Sequence, residues 1–301
     1  SFCFELLNIA LMTAIHPLAP LTDPMPHATA NAPIGIFDSG IGGLSVAQEI
    51  ARYLPNEQIV YYADTAHVPY GPREDQDIRE LTAQAIEWLY RQGCKVAVVA
   101  CNTASAFSLD YLREHYGDRF PIIGLVPALK PAVLQSKSKV VAVLATPATF
   151  RGKLIQDVVQ NFALPAQVSV LAVTSLALVP FVEHGQQLSA ECLTVLHDIL
   201  NPVVTQGADY LVLGCTHYPF LKDAIQVLFA DQLTLIDSGF AVARQTARIL
   251  IKHELLCEEQ CKRPHVQLNC YVSGQNAETL RSVVARLIDP AFTWDIQNIA
   301  M

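Results

Sequence analysis

The chain has 301 residues, 51% apolar and 16% charged, with 20 Lys+Arg against 28 Asp+Glu and a formal net charge of −8. That composition excludes a largely disordered chain, and the length suffices for two modest domains or one large one, each with its own core. An acidic balance without Lys/Arg clusters argues against binding phosphate backbones, so direct contact with nucleic acid is not expected.

Residues 1–15 are apolar, but Glu5 interrupts them, no basic segment precedes them and no cleavage site is clear, so they read as an appendage ahead of a start at Met12. Residues 13–33 carry Pro17, Pro20, Pro24, Pro26 and Pro33 without periodicity, an irregular leader before a fold that begins near Ile34. From there, apolar runs at 34–37, 59–63, 96–100, 122–126, 140–145, 168–173, 210–213 and 233–236 predict strands. Amphipathic segments alternate with them, such as 79–92, with Leu81, Ala85, Trp88 and Leu89 on one side, and 188–204. The expected architecture is α/β, with mostly parallel sheets flanked by helices. Residues 161–182 lack any charge and are long enough to cross a bilayer, but Pro165, Gln167, Ser169, Thr174, Ser175 and Pro180 break them into a buried strand and a turn. No membrane segment is expected. Eight cysteines spread along the chain fit a reducing cytoplasm better than a disulfide scaffold.

The order repeats weakly. Residues 37–40 (FDSG) and 236–239 (IDSG) both follow strands, and 99–103 (VACNT) resembles 213–217 (LGCTH) in setting a cysteine at a strand end. Two similar α/β domains follow, with a site in the cleft between them, where strand ends and helix N-termini converge.

Cys101 is followed by Asn102, Thr103 and Ser105 at a helix start, where amides and the helix dipole lower a thiol's pKa. Cys215 repeats the arrangement, with Thr216 and His217 after it and Pro219 suited to a first helical turn. Either cysteine alone reads more simply as a small buried hydrophobe; two in matched contexts favour chemistry. Neither has a second ligand at zinc spacing. His253, Cys257 and Cys261 fall at i, i+4 and i+8, but no fourth ligand is placed, so no metal is assigned. The run Asp38, Ser39, Gly40, Ile41, Gly42, Gly43 departs from a dinucleotide fingerprint, Ser45 standing where the third glycine belongs. It offers a tight turn with a carboxylate and a hydroxyl, or else Asp38 only caps a helix. A rigid loop, 64–73, with Pro69, Tyr70, Gly71 and Pro72, joins the same rim.

Five motifs in order, FDSGIGGLSV (37–46), VPYG (68–71), VACNTAS (99–105), LATPATFRG (144–152) and LGCTHYPFL (213–221), resemble the bacterial glutamate racemase family. The resemblance covers about residues 34–250. It implies cofactor-independent racemisation, without pyridoxal phosphate or metal, by two cysteines on opposite faces of the amino acid. It makes Cys101 and Cys215 catalytic, with Asp38 attending Cys101, and Glu183 and His217 attending Cys215. Ser39, Pro69, Tyr70, Gly71, Thr146 and Thr149 are implied to line the substrate site. Asn102, Thr103 and Thr216 suit donation to the substrate carboxylate, and Asp38 and His217 border it. The implied domains are 33–125 plus 239–301 and 126–238, after a leader at 1–32. Supply of D-glutamate for peptidoglycan is the implied role. Some members with N-terminal extensions are activated by a UDP-muramyl precursor, and the length of the leader at 13–32 extends that activator to this chain as an expectation; a homodimer is left open. An aspartate racemase is the near rival, and a non-catalytic module for a protein partner is the rival from another class.

Overall fold

A computed structural model describes residues 29–257, 267–274 and 277–299. The elements in chain order are β1 (Ile34–Asp38), α1 (Leu44–Tyr53), β2 (Ile59–Ala63), α2 (Asp75–Arg91), β3 (Val96–Val99), α3 (Asn102–Tyr116), β4 (Ile122–Gly124), α4 (Leu129–Gln135), β5 (Val140–Ala145), α5 (Pro147–Arg151), α6 (Lys153–Val158), β6 (Ser169–Thr174), α7 (Leu178–Glu183), α8 (Ala190–Thr205), β7 (Tyr210–Gly214), α9 (Lys222–Phe229), β8 (Thr234–Ile236), α10 (Gly239–Lys252), β9 (Gln267–Val272), α11 (Ala277–Leu287) and β10 (Thr293–Asn298). They form a six-stranded sheet, β10-β9-β2-β1-β3-β4, and a four-stranded sheet, β6-β5-β7-β8. Every strand pair is parallel.

The central strands carry unbroken apolar runs because helices cover both of their faces. In the first sheet, Ile34, Ile36, Val96 and Val98 pack with Leu44, Ala47 and Ile50 of α1 and Leu250 of α10. Alternation along the strand sends Phe37, Ala97 and Val99 to the other side, with Ile78, Ile86 and Leu89 of α2 and Leu112 of α3. The second sheet repeats this: Leu144, Leu211 and Leu213 join Leu196 and Leu200 of α8, while Val141, Val143 and Val212 join Leu129 and Val133 of α4.

All eight apolar runs are strands, though not all as expected. The run expected to be a buried strand at 168–173 is an edge strand, β6, in which only Val173 is buried, because β5 pairs with just one of its sides. The polar strand β10 gave no apolar signal. The helical face proposed for His253, Cys257 and Cys261 does not form: α10 ends at Lys252, Glu254 has φ 57°, and the Cys257 amide donates to Glu57 Oε1 at 2.9 Å. Cys261 and residues 1–28 of the leader lie outside the described residues. Among the described residues no helix is long and apolar enough to cross a membrane, and no cluster could hold a metal ion.

In each sheet the chain reverses its direction of travel between two neighbouring central strands, β1 and β3 in one and β5 and β7 in the other. Crevices at the carboxyl ends of such strands are where open α/β sheets bind ligands. Asp38 and Cys101 stand at the first crevice, Thr146 and Cys215 at the second.

Candidate active site

Cys101 is the N-cap of α3, and its sulfur accepts from the Ala104 amide at 3.4 Å. Its thiol lies 3.6 Å from Ser39 Oγ, to which it donates. The helix-start amide is therefore in place, yet the thiol's pKa is raised to about 12, not lowered: burial dominates, the Asp38 charge adds to it, and the Ala104 and Ser39 contacts only moderate the rise. Ser105 does not face this sulfur; it ties Val99 O to the Leu125 amide.

Cys215 departs from the matched arrangement. No α-helix starts there; residues 215–217 turn into a 3₁₀ segment, Tyr218–Leu221, with Pro219 in its first turn. In place of a helix amide, its sulfur has His217 Nδ1 at 3.6 Å. His217 Nε2 in turn meets Glu183 Oε1 at 2.6 Å, and that oxygen also accepts from the Ile41 amide at 2.9 Å. Burial opposes charge on His217, but the hydrogen bonds to Cys215 and Glu183 and their charges prevail, holding its pKa well above the ordinary 6.5.

Asp38 does not cap α1 by its side chain alone and makes no hydrogen bond to Cys101. Oδ2 accepts from the Gly40 and Gly43 amides, each at 3.1 Å, and Oδ1 accepts from Thr216 Oγ1 at 3.1 Å. Its influence on Cys101 is through charge. Ser45, which broke the glycine fingerprint, donates to Thr216 O at 2.8 Å. The glycines serve clearance instead of phosphate binding: a Cβ at Gly40 would overlap the Glu183 carboxylate, and one at Gly42 the His217 ring. The turn after β1 is thus shaped by side chains from α7 and from the turn that follows β7.

In the loop after β2, Tyr70 lines the pocket and donates its hydroxyl to Asp64 Oδ2 at 2.6 Å. Burial and Asp64 push its ionisation out of reach. On the second sheet, Thr146 caps α5, and Thr103, Thr146 and Thr149 form a hydroxyl chain with both steps at 2.9 Å.

These elements border a small pocket lined by Ser39, Pro69, Tyr70, Gly71, Cys101, Asn102, Thr103, Thr146, Val179, Cys215, Thr216 and His217. Both sulfurs border it. Asp38, Glu183 and Thr149 stand behind the lining. Asn102 Oδ1 is buried with no partner among the described residues, an acceptor beside the pocket. Val179 was not anticipated; an apolar residue on a six-residue helix carries no functional signal in sequence. Neither was Asp64, which anchors Tyr70 and accepts from Ser273 Oγ at 2.6 Å. The arrangement offers two thiols in different electrostatic settings with hydroxyl and amide donors around one small pocket, a set suited to moving a proton from a weak carbon acid.

The Asp/Glu/hydantoin racemase family model matches residues 34–246. The glutamate racemase of Deinococcus radiodurans is 56% identical, the match covering 79% of this chain and 81% of that protein. The solved structure of Escherichia coli glutamate racemase, in complex with L-glutamate and the activator UDP-MurNAc-Ala, superposes with a TM-score of 0.74 at 32% identity, over 89% of this chain and 98% of that one. That of Francisella tularensis glutamate racemase, in complex with D-glutamate, does so with a TM-score of 0.75 at 28% identity, over 90% and 98%.

Proposed function

Because the chain belongs to the Asp/Glu/hydantoin racemase family, we propose that it interconverts L- and D-glutamate without a cofactor, Cys101 and Cys215 acting on Cα from opposite faces. The observation that carries this reading is that both sulfurs border one pocket while each has its own polar partners. One thiolate removes the α-proton as the opposite thiol delivers another, and the roles reverse with the direction of reaction. Asn102 Oδ1 accepts from the substrate ammonium, and the Thr103 and Thr216 hydroxyls with the nearby amides hold its carboxylate, stabilising the charge that develops at Cα. Asp38 sets the charge felt by Cys101. His217, held by Glu183, keeps a proton within reach of Cys215. Thr146, backed by Thr149, and the Pro69–Tyr70–Gly71 wall complete the pocket.

The product D-glutamate serves peptidoglycan synthesis in the cytoplasm. The two working units are 33–125 with 239–301, and 126–238; the paired crossovers between the sheets support this division, being stitched where Ser238 Oγ donates to Val126 O at 2.7 Å. Activation by a UDP-muramyl precursor is carried over from such relatives, and turnover with and without saturating UDP-N-acetylmuramoyl-L-alanine tests it; equal rates remove the activator.

Circular dichroism of each enantiomer of glutamate and of aspartate tests the reaction and its substrate: racemisation of glutamate is expected, and a preference for aspartate overturns the substrate assignment. Cys101→Ser and Cys215→Ser should each lose racemisation by at least about 10²-fold, the lower end for a general acid or base, with the fold intact. Full activity in either variant defeats the two-thiol reaction.

A further inference from the structure

Asp64 follows directly on β2 and does not line the pocket, yet it is only 3% exposed and its carboxylate gathers three side chains. Oδ2 accepts from the Tyr70 hydroxyl and Oδ1 from the Ser273 hydroxyl, each at 2.6 Å, the length of an O–H···O bond to a carboxylate. His67 Nδ1 lies 2.9 Å from Oδ1 and 3.0 Å from Oδ2. Tyr70 is 1% exposed, so removing the carboxylate strands a buried hydroxyl donor on the pocket wall.

Ser273 stands 209 positions from Asp64, just past β9, and clasps the whole start of this loop. Its amide donates to Ala63 O at 3.0 Å, its carbonyl accepts from Thr65 Oγ1, and its hydroxyl oxygen accepts from the Ala66 amide at 3.2 Å. Gly274 has φ 64°, and a Cβ there would overlap Ala66, which keeps this close approach to glycine. Arg73 holds the far limb of the loop, donating to His67 O from Nε at 2.9 Å and from Nη2 at 2.7 Å. On the pocket side the loop meets the second sheet as tightly: a Cβ at Gly71 would come 3.0 Å from Thr146 Cβ. Tyr70 thus stands between an anchor at β9 and the wall of the pocket.

We infer that Asp64 is a positioning residue for substrate binding: fastened to Ser273, its carboxylate fixes Tyr70 and with it the Pro69–Tyr70–Gly71 wall. The role rests on the glutamate reading proposed above. Asp64 acts through Tyr70, while the Cys101 and Cys215 sulfurs keep partners of their own. The wall holds the substrate before and during the reaction alike, so loosening it weakens binding and spares the proton transfer.

Racemisation of glutamate followed by circular dichroism, with KM and kcat resolved, tests this in a double-mutant cycle. Asp64→Ala should raise KM about tenfold, the worth of one hydrogen bond to a charged group, with kcat little changed. Tyr70→Phe, which removes only the partner hydroxyl, should raise KM in the same way, and the double variant should be no worse than Asp64→Ala alone, because both changes break one bond. Ser273→Ala, outside the pocket, should raise KM several-fold. An unchanged KM in folded Asp64→Ala, a loss confined to kcat, or KM effects of Asp64→Ala and Tyr70→Phe that multiply in the double variant overturns the inference. If Asp64→Ala does not fold, Tyr70→Phe and Ser273→Ala decide it, an unchanged KM in either overturning it. A parent protein that does not racemise glutamate overturns instead the reading beneath it.

Discussion

Asp38 has no solvent exposure, and its pKa is raised from the ordinary 3.8 to about 6, burial outweighing the lowering by the His217 charge and by the Gly40 and Gly43 amides. The folded chain therefore holds this proton more tightly than the unfolded chain. The stabilisation is complete below about pH 3.8 and is lost as pH rises through about 6, a swing of about 3 kcal/mol at roughly 1.4 kcal/mol per unit. Asp38→Asn, which stays neutral and keeps an acceptor for the glycine amides, should match the parent near pH 4 and exceed it by up to about 3 kcal/mol at pH 8 in chemical denaturation. A parent that is the more stable at pH 8 contradicts this. The same titration should give the parent a fall in kcat/KM below about pH 6, a limb missing from the weakly active variant. Asp38 and both cysteines were legible as polar groups at strand ends. The raised pKa of Cys101 was not, because a helix start is visible in sequence while the burial that overrides it is not, and the Asp38 and Cys215 charges that add to the rise come from positions far along the chain.

The central strands were readable because covering both faces of a parallel sheet demands continuous apolar runs. The same logic hides edges: β10, with the sequence TWDIQN, pairs on one side only and has a single buried residue, Ile296. The turn between β1 and α1 was legible as tight but not in its purpose, since Glu183 reaches it from α7 and His217 from the turn after β7. Gly42→Ala forces the His217 ring to move away from Cys215. A displacement of about 1 Å from a productive geometry costs up to about 10²-fold, so kcat should fall by that order with the far-UV spectrum unchanged. Wild-type kcat in a folded Gly42→Ala protein would show that the ring's position is not constrained by this turn.

Across the whole molecule, the two-sheet plan was visible as a sequence repeat, but the contacts that close one sheet's site on the other were not. Thr216 to Asp38 and Ile41 to Glu183 join residues 178 and 142 positions apart, and no local pattern announces them. A second long-range device lies at the opposite end of the first sheet, where Lys95 and Glu57 form a fully buried ion pair. Lys95 also donates to Ala30 O at 2.7 Å, and Glu57 accepts from the Cys257 amide, so the pair fastens chain segments entering and leaving the fold. Lys95→Met leaves a buried carboxylate unpaired and should cost about 3–5 kcal/mol in denaturant unfolding, most of it recovered in the Lys95→Met, Glu57→Gln double variant. A cost below about 1 kcal/mol, the range of an exposed pair, would show that the pair is not buried in solution. The central claim concerns the other end of the sheets, and a crystal structure with bound glutamate tests it most directly. Cys101 Sγ and Cys215 Sγ should lie on opposite faces of the substrate, each within about 3.5 Å of the hydrogen-bearing carbon. Both sulfurs on one face, or either displaced from Cα by another side chain, would contradict the account.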